Sequence, residues 1–170
     1  MSSRKNNQKL ISAGILMYRE KIDKNNNIKF KYLIGHPGGP YFSKRDNGYW
    51  SILKGMINHN EKEVDCAIRE FKEETGYSFN IQKSDLIDLD TVRLKNGKII
   101  HIWAWKDTNH EKDYKFESNK LIIRYPSNTN NYLTIPEIDK HQFFGRKKTI
   151  EKLNEAQRIF IERFEEKMKK

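Results

Sequence analysis

The chain has 170 residues, of which 36% are hydrophobic and 12% aromatic, and this is enough to bury the core of one domain. A single cysteine excludes an intrachain disulfide, and no apolar run approaches the ~20 residues that a membrane-spanning helix requires, so we expect a cytoplasmic protein. The formal net charge of +10 is spread along the chain, with compact basic runs only at 146–148 and 167–170. This distribution favours a general attraction for small polyanions over a dedicated DNA or RNA surface.

Apolar runs and turn residues divide the first third of the chain into elements. The run KLISAGILMY predicts a buried strand, and the partial alternation in KFKYLIG predicts its return as a hairpin. The segment that follows is rich in Pro and Gly, and a loop of that length is often functional. In order, we predict a disordered tail at 1–8, a strand at 9–18, a polar turn at 19–27, a strand at 29–35, a loop at 36–48 and a short strand at 49–53.

An amphipathic helix is predicted at about 62–75, with Gly76 at the position of a C-cap glycine. Its apolar stripe at i, i+3, i+4 and i+7 is formed by Val64, Ala67, Ile68 and Phe71. At ~100° per residue, Glu70, Glu73 and Glu74 lie together on a neighbouring flank of the helix. Three carboxylates crowded in this way raise one another's pKa unless a cation neutralises them.

After this helix the pattern returns to strands, and Asn96-Gly97 is a strong two-residue hairpin signal. We predict strands at 86–94 and 98–106, loops at 108–117 and 127–131, a strand at 121–125, a short strand near the end of 135–144, and one long amphipathic helix at 149–168. Thr149 is the predicted N-cap of that last helix. Strands, a central helix, further strands and a closing helix predict an α+β fold.

The acidic flank has two interpretations. Most Glu-rich helix faces are simply solvated, and that is the alternative here. Against it, Glu61 and Arg69 accompany the acids at fixed distances from Gly55, and a set of oxygen ligands alone suits Mg²⁺ or Mn²⁺ rather than zinc.

The spacing itself is distinctive. It reads Gly55, five residues, Glu61, seven residues, Arg69-Glu70, two residues, Glu73-Glu74, one residue and Gly76. This pattern resembles the Nudix box of the Nudix hydrolase superfamily at all of its fixed positions. The preceding WSILKG is similar to the W-[ST]-x-P-K-G that leads into the box of diadenosine tetraphosphate and diphosphoinositol hydrolases, although Leu53 replaces the usual proline. The segments HPGGP at 36–40, Ser118-Asn119 and IPEID at 135–139 resemble a bacterial, MutT-like branch of predicted NTP pyrophosphohydrolases.

The resemblance implies a fold and a set of roles. The fold would be a mixed β-sheet sandwiched between helices, with residues 9–170 as a single Nudix hydrolase domain. The metal ligands would be Glu70, Glu73 and Glu74, holding Mg²⁺ or Mn²⁺. Glu73 or Glu74 would act on the attacking water, and the other catalytic residues would be Arg69, which pairs with Glu61, and Glu137, an additional glutamate outside the box. Glu61 and Gly76 would maintain the structure of the box. Lys54 and Gly55 would bind the substrate.

Several of these residues also have a purely structural or solvent-exposed interpretation. Lys54 could be a solvated lysine at the end of a strand, Glu137 a solvated loop glutamate, and Arg69 a member of an ordinary surface ion pair. The aromatic residues near the loops, Tyr41, Phe42 and Tyr132, could stack on a base, although ordinary core or rim packing is the favoured explanation for each of them alone.

The resemblance implies a pyrophosphohydrolase acting on a small nucleoside polyphosphate, and the segment from Trp50 to Gly55 together with the basic composition favours dinucleoside polyphosphates such as Ap4A. The alternatives are a (d)NTP pyrophosphohydrolase, an RNA 5′-end pyrophosphohydrolase and a non-catalytic nucleotide-binding module. The last is disfavoured because every box glutamate is present.

Overall fold

The computed structural model describes residues 10–109 and 113–169, so the tail predicted at 1–8 lies outside the described residues. The strands are β1 (Ile11–Ile22), β2 (Ile28–Pro37), β3 (Leu53–Met56), β4 (Ile87–Arg93), β5 (Ile99–Lys106), β6 (Lys120–Arg124), β7 (Tyr132–Pro136) and β8 (Ile138–Gly145). The helices are α1 (Glu63–Thr75), α2 (Arg146–Lys152) and α3 (Arg158–Met168), with short 3-10 turns at Lys83–Asp85 and Glu155–Gln157. None of the helices in the described ranges is long and apolar enough to cross a membrane.

Six strands form one mixed sheet. Its order is β4-β5-β1-β2-β8, and β3 pairs with β1 in addition. The β1–β5 pair is parallel and the other pairs are antiparallel, while β6 and β7 form a separate antiparallel hairpin. Helix α1 packs on one face of the sheet and α3 on the other, which confirms the predicted α+β fold with a mixed sheet between helices.

Strand β1 is buried on both faces because its side chains alternate between two cores. Ala13, Ile15 and Met17 belong to the cluster that includes α1, and Leu16 and Tyr18 belong to the cluster that includes α3. A strand with period-2 alternation and helices on both sides must be apolar at every covered position, and residues 13–18 show this pattern.

Two strand predictions need correction. The strand predicted at 49–53 lies further along as β3, so Lys54 and Gly55 are strand residues rather than the loop that follows one. Trp50 and Ser51 make only isolated bridges, to Leu153 and Gly35. Strand β7 was not predicted. Its sequence YLTIP contains aromatic and β-branched residues that suit a strand, but it is only five residues long and follows an Asn-rich loop, and its pairing with β6 is what identifies it.

The prediction of one helix at 149–168 is wrong. The chain is extended at Leu153, with ψ 143°, where it bridges Trp50. The backbone N–H of Asn154 donates to the carbonyl of Trp50 at 2.8 Å, and the Asn154 side chain accepts from the N–H of Ala156 to start the next turn. Leu153 is fully buried, but from an extended conformation rather than from a helix.

Thr149 is not the N-cap of this segment. Helix α2 begins at Arg146, and Thr149 is buried inside it with its hydroxyl donating to the carbonyls of Phe144 and Gly145. A threonine that bonds back to the preceding turn satisfies its hydroxyl without starting a helix.

Candidate active site

The Nudix-box segment forms β3, a loop and α1, as the pattern of turn residues and apolar spacing requires. Helix α1 presents Cys66, Ala67 and Phe71 to the core, each with no exposed surface. The predicted C-cap is confirmed: Gly76 has φ 74°, and its N–H donates to the carbonyl of Lys72 at 2.9 Å. Burial raises the pKa of the Cys66 thiol to about 11, so this thiol is no nucleophile.

Arg69 joins the box loop to the helix. Its Nε and Nη2 donate to the two carboxylate oxygens of Glu61 at 2.7 and 3.0 Å, a bidentate pair. Its Nη2 also donates to the carbonyl of Met56 at 3.0 Å, and its Nη1 donates to Glu70 at 2.9 Å and to Glu73 at 3.3 Å. The hydrogen bonds from Arg69 lower the pKa of Glu61 to about 2. The loop and the acidic flank are therefore held by one guanidinium.

Replacing Arg69 with Lys should lower the free energy of unfolding by about 2–3 kcal/mol, because an ammonium keeps the charge but cannot make the bidentate pair and the carbonyl contact together. Chemical denaturation in the presence of EDTA measures this. The matched control is Arg146→Lys, at an exposed arginine whose side chain has a single hydrogen-bond partner among the described residues, the half-buried Glu165, and this substitution should change stability by less than about 0.5 kcal/mol. Equal effects of the two substitutions would show that Arg69 is an ordinary surface residue.

Gly55 makes room for Glu70. The carboxyl group of Glu70 is buried, and a Cβ built on Gly55 would lie 2.0 Å from Glu70 Cδ and 2.2 Å from Oε2. The requirement for glycine is therefore close approach of a side chain and not an unusual backbone angle. Burial, opposed by Arg69, raises the pKa of Glu70.

Glu74 is the most constrained acid of the flank. It is 3% exposed, and its Oε2 is the one buried side-chain oxygen or nitrogen without a hydrogen-bond partner in the part of the chain that the structure describes. Burial raises the pKa of Glu74 well above its ordinary value, and the carboxylates of Glu137 and Glu70 add to the effect. Burial therefore raises the pKa of Glu74 more than the repulsion between carboxylates that the sequence predicts. The three acids also differ in exposure, since Glu70 and Glu74 are buried and Glu73 is exposed.

The structure brings Glu137 to the same place from the junction of β7 and β8. Asn119 donates from its side chain to Glu137 Oε2 at 2.9 Å, and its backbone N–H donates to the carbonyl of Glu73 at 2.9 Å. The N–H of Glu137 donates in turn to the carbonyl of Asn119. The sequence argument gave Asn119 no role, and the signal that could have identified it is the Ser118-Asn119 pair among the matched segments.

Lys54 faces these acids from β3. It is half-buried, which does not fit a solvated lysine at a strand end. Burial lowers the pKa of Lys54, and the carboxylates of Glu74 and Glu137 oppose this shift. An ammonium held among carboxylates in this way stabilises their ionised forms and leaves donors for an anionic ligand.

Beside Lys54 lies a cavity of about 1060 Å³. Its basic lining residues are Lys54, Arg93, Lys95 and Arg158, and its aromatic ones are Phe42 and Tyr49. Of the aromatic residues proposed from sequence to stack on a base, Phe42 lines this cavity, whereas Tyr41 and Tyr132 do not. The basic lining residues come from three separated segments, so no linear pattern could have grouped them.

The carboxylates are arranged around Arg69 rather than around a common point. Within residues 10–109 and 113–169, no group of three or more His, Cys, Asp or Glu side chains has the mutual spacing of metal ligands. Glu70 and Glu73 share the same Arg69 nitrogen, while Glu74 Oε2 has no hydrogen-bond partner.

Comparisons with known proteins identify the family. The family model described as NUDIX domain matches residues 11–164. Over 75 residues, 42% of this chain, the sequence is 39% identical to the mRNA decapping complex subunit 2 of Schizosaccharomyces pombe. This chain spans only about a tenth of the length of the curated relatives it matches.

Solved structures share the fold at low sequence identity. A binary complex of the C. elegans Ap4A hydrolase has a TM-score of 0.56 and 20% identity, covering 92% of this chain and 97% of that one. The MutT protein of Methanosarcina mazei Go1 has a TM-score of 0.57 and 20% identity, covering 96% and 99%. The family match spans most of the chain and includes the complete acidic motif. This chain therefore belongs to the Nudix family.

Proposed function

We propose that this chain uses Mg²⁺ or Mn²⁺ to hydrolyse the diphosphate linkage of small nucleoside diphosphate-linked molecules, and that dinucleoside polyphosphates such as Ap4A are its substrates. One observation carries the proposal: the buried carboxyl group of Glu74 has an oxygen without a partner beside Glu70 and Glu137. An unsatisfied buried acid costs stability, and such costs are concentrated at functional sites.

The donor set fits a hard divalent cation. All the candidate ligands are carboxylate oxygens, which Mg²⁺ and Mn²⁺ prefer, and an ion beside them would favour the ionised forms that burial disfavours. Glu70, Glu73 and Glu74 would hold the ion directly or through water. When bound, the ion neutralises phosphate oxygens so that water can approach phosphorus.

The chain's own residues then have separate tasks. Glu73 or Glu74 orients or deprotonates the attacking water, and Glu137 is the alternative base, since Asn119 fixes one of its oxygens and leaves the other free for this task. Arg69 is a positioning residue that holds the loop and the acids together.

Lys54 supplies a positive charge to the phosphates. Replacing it with Gln should lower kcat/KM by about 10- to 100-fold, mainly through KM, because a charged hydrogen bond to the bound substrate is lost. Steady-state kinetics measures this, with Lys31→Gln, an exposed lysine on β2, as the control. An unchanged kcat/KM in the Lys54 variant would remove Lys54 from the binding site.

The cavity supports a large polyanionic substrate. At about 1060 Å³ it is slightly larger than the ~300–1,000 Å³ range of small-molecule sites. Its four basic side chains can pair with several phosphates. The rings of Phe42 and Tyr49 offer surfaces on which a base can stack. A nucleoside with a short polyphosphate and a second nucleoside satisfies both features.

Product analysis over a substrate panel tests the proposal. The panel consists of Ap4A, dNTPs, NADH, ADP-ribose and capped RNA, each with Mg²⁺ and with Mn²⁺. Release of ATP and AMP from Ap4A is the expected result. If only dNTPs are hydrolysed, and the products are nucleoside monophosphate and pyrophosphate, the chain is a (d)NTP pyrophosphohydrolase instead.

A second candidate is hydrolysis at the 5′ end of RNA. The observation in its favour is the 39% identity over 75 residues to the S. pombe decapping complex subunit. Faster turnover of capped RNA than of Ap4A at equal concentration would favour it.

A further inference from the structure

Exposed aromatic side chains are concentrated on one surface. Among the described residues they occur only at Tyr41, Phe42, Tyr49, Tyr125 and Tyr132, which are 37–63% exposed. These five lie on two segments far apart in sequence, the loop at 40–49 and the β6–β7 hairpin. We call this surface the aromatic belt. A contiguous set of exposed rings on a protein otherwise able to bury its aromatics marks an interaction surface.

Direct contacts join the two segments of the belt. The rings of Tyr41 and Tyr125 meet edge to face with centroids 5.3 Å apart, and the Tyr41 hydroxyl donates to the carbonyl of Arg124 at 3.1 Å. Phe42 and Tyr49 lie 6.4 Å apart, tilted by 56°. None of these pairs is stacked face to face, so the rings keep faces available to a ligand.

Cations alternate with the rings. The Arg45 guanidinium lies 5.5 Å from the Tyr49 ring, and that of Arg124 lies 5.8 Å from the Tyr132 ring. Lys44 joins Tyr41, Arg45 and Tyr125 around a recess of about 550 Å³. The one acid of these two segments, Asp46, is already paired with Lys152 at 2.8 Å.

We propose that the aromatic belt binds single-stranded nucleic acid. Bases stack on exposed rings whatever their identity, and the phosphates between them pair with interleaved cations, which is the arrangement the belt offers. Phe42 and Tyr49 also line the cavity beside Lys54, so the belt runs from the active site outward. Only this connection to the active site rests on the proposed function; binding to the belt does not.

The belt could not be identified from the sequence. Linear inspection finds no dense basic run here, and the expectation of no dedicated nucleic-acid surface followed from that. The fold places Lys44 and Arg45 around one recess with Tyr125, about eighty positions away in sequence. The competing occupant is a second copy of this chain, because Ile122 and Leu133 of the same hairpin are 73% and 40% exposed.

Fluorescence anisotropy with a labelled 5′-hydroxyl oligouridylate and the matching oligothymidylate tests the proposal. Neither probe has a diphosphate to cut, and EDTA is present, so binding is separated from turnover. We expect both to bind, with Tyr125→Ala and Tyr132→Ala each weakening binding by about 5- to 100-fold, and Tyr125→Phe and Tyr132→Phe retaining it. Circular dichroism and hydrolysis of a small substrate by the same variants exclude misfolding.

Salt dependence supplies an independent readout. If Lys44, Arg45 and Arg124 contact phosphates, the slope of log K against log salt should be about −2 for a single strand. The magnitude of the slope should fall by about 0.7 in Arg124→Ala. It should not change in Lys24→Ala, an exposed lysine in the distant β1–β2 turn. Loss of binding that is equal in the Ala and Phe variants would overturn the proposal. So would sedimentation showing a dimer that Tyr132→Ala dissociates, which would assign the belt to a second copy. If the chain hydrolyses Ap4A but does not bind the oligonucleotides, the proposal for the aromatic belt is wrong and the proposed function is unaffected.

Discussion

Glu74→Gln should lower kcat by at least about 10³-fold with Mg²⁺ or Mn²⁺, because an amide cannot supply the anionic oxygen that the cation and the attacking water require. In the same variant the free energy of unfolding in EDTA should rise by about 1–3 kcal/mol at neutral to alkaline pH, since the substitution removes a buried charge with an unpartnered oxygen. Kinetics and thermal melting on one preparation measure both effects.

The pH dependence of this stability difference has a definite sign. The pKa of Glu74 is raised in the folded chain, so between its unfolded and folded values the folded chain binds a proton that the unfolded chain has released. Wild-type stability therefore falls as pH rises through that interval, and this contribution is absent from Glu74→Gln. The advantage of the variant should grow from acid to alkaline pH.

The control for both effects is Glu162→Gln, an exposed glutamate on α3, which should leave kcat unchanged and stability within about 0.5 kcal/mol. A Glu74→Gln enzyme with wild-type turnover would contradict the assignment of Glu74. A variant that is inactive and also less stable at every pH would show that the carboxyl supports the fold rather than the chemistry.

Gly55→Ala should lower kcat/KM by about 100-fold and destabilise the fold by about 1–3 kcal/mol. The new Cβ would occupy the space of the Glu70 carboxyl group, 2.0 Å from its Cδ, and must displace that side chain from its place beside Arg69. Because the neighbour is a buried carboxyl group held by a guanidinium, it cannot move aside without breaking that contact.

Gly145→Ala is the matched control. Gly145 has φ −68°, and a Cβ there would have no heavy atom within 4 Å, so the substitution should be nearly neutral. If Gly55→Ala behaves like Gly145→Ala in kinetics and denaturation, Glu70 is not confined as the structure indicates.

Much of the fold could be predicted because its signals are local. The alternating core of β1, the turn at Asn96-Gly97 and the end of α1 at Gly76 each depend on residues close in sequence. The failures depend on contacts that the local pattern does not reveal. Leu153 is extended because it bridges Trp50, far away in sequence, and β7 is too short to be identified without its pairing to β6.

The site divides in the same way. The spacing within one helix puts Glu70, Glu73 and Glu74 on one flank, and a periodicity argument can find this. It cannot show that Glu70 and Glu74 are buried while Glu73 is exposed, since that depends on β3 and on the chain around Glu137. The support of Glu137 by Asn119 is likewise a contact between segments that only the fold brings together.

The most direct measurement is the position of the cation itself. Crystals soaked with Mn²⁺ and a non-hydrolysable Ap4A analogue would give an anomalous scattering peak. We predict that peak within about 2.0–2.4 Å of carboxylate oxygens of Glu70 and Glu74, with analogue phosphate oxygens completing the coordination. A peak bound elsewhere, with these side chains still turned to Arg69 and the phosphates distant from them, would contradict the claim that this acidic flank serves catalysis.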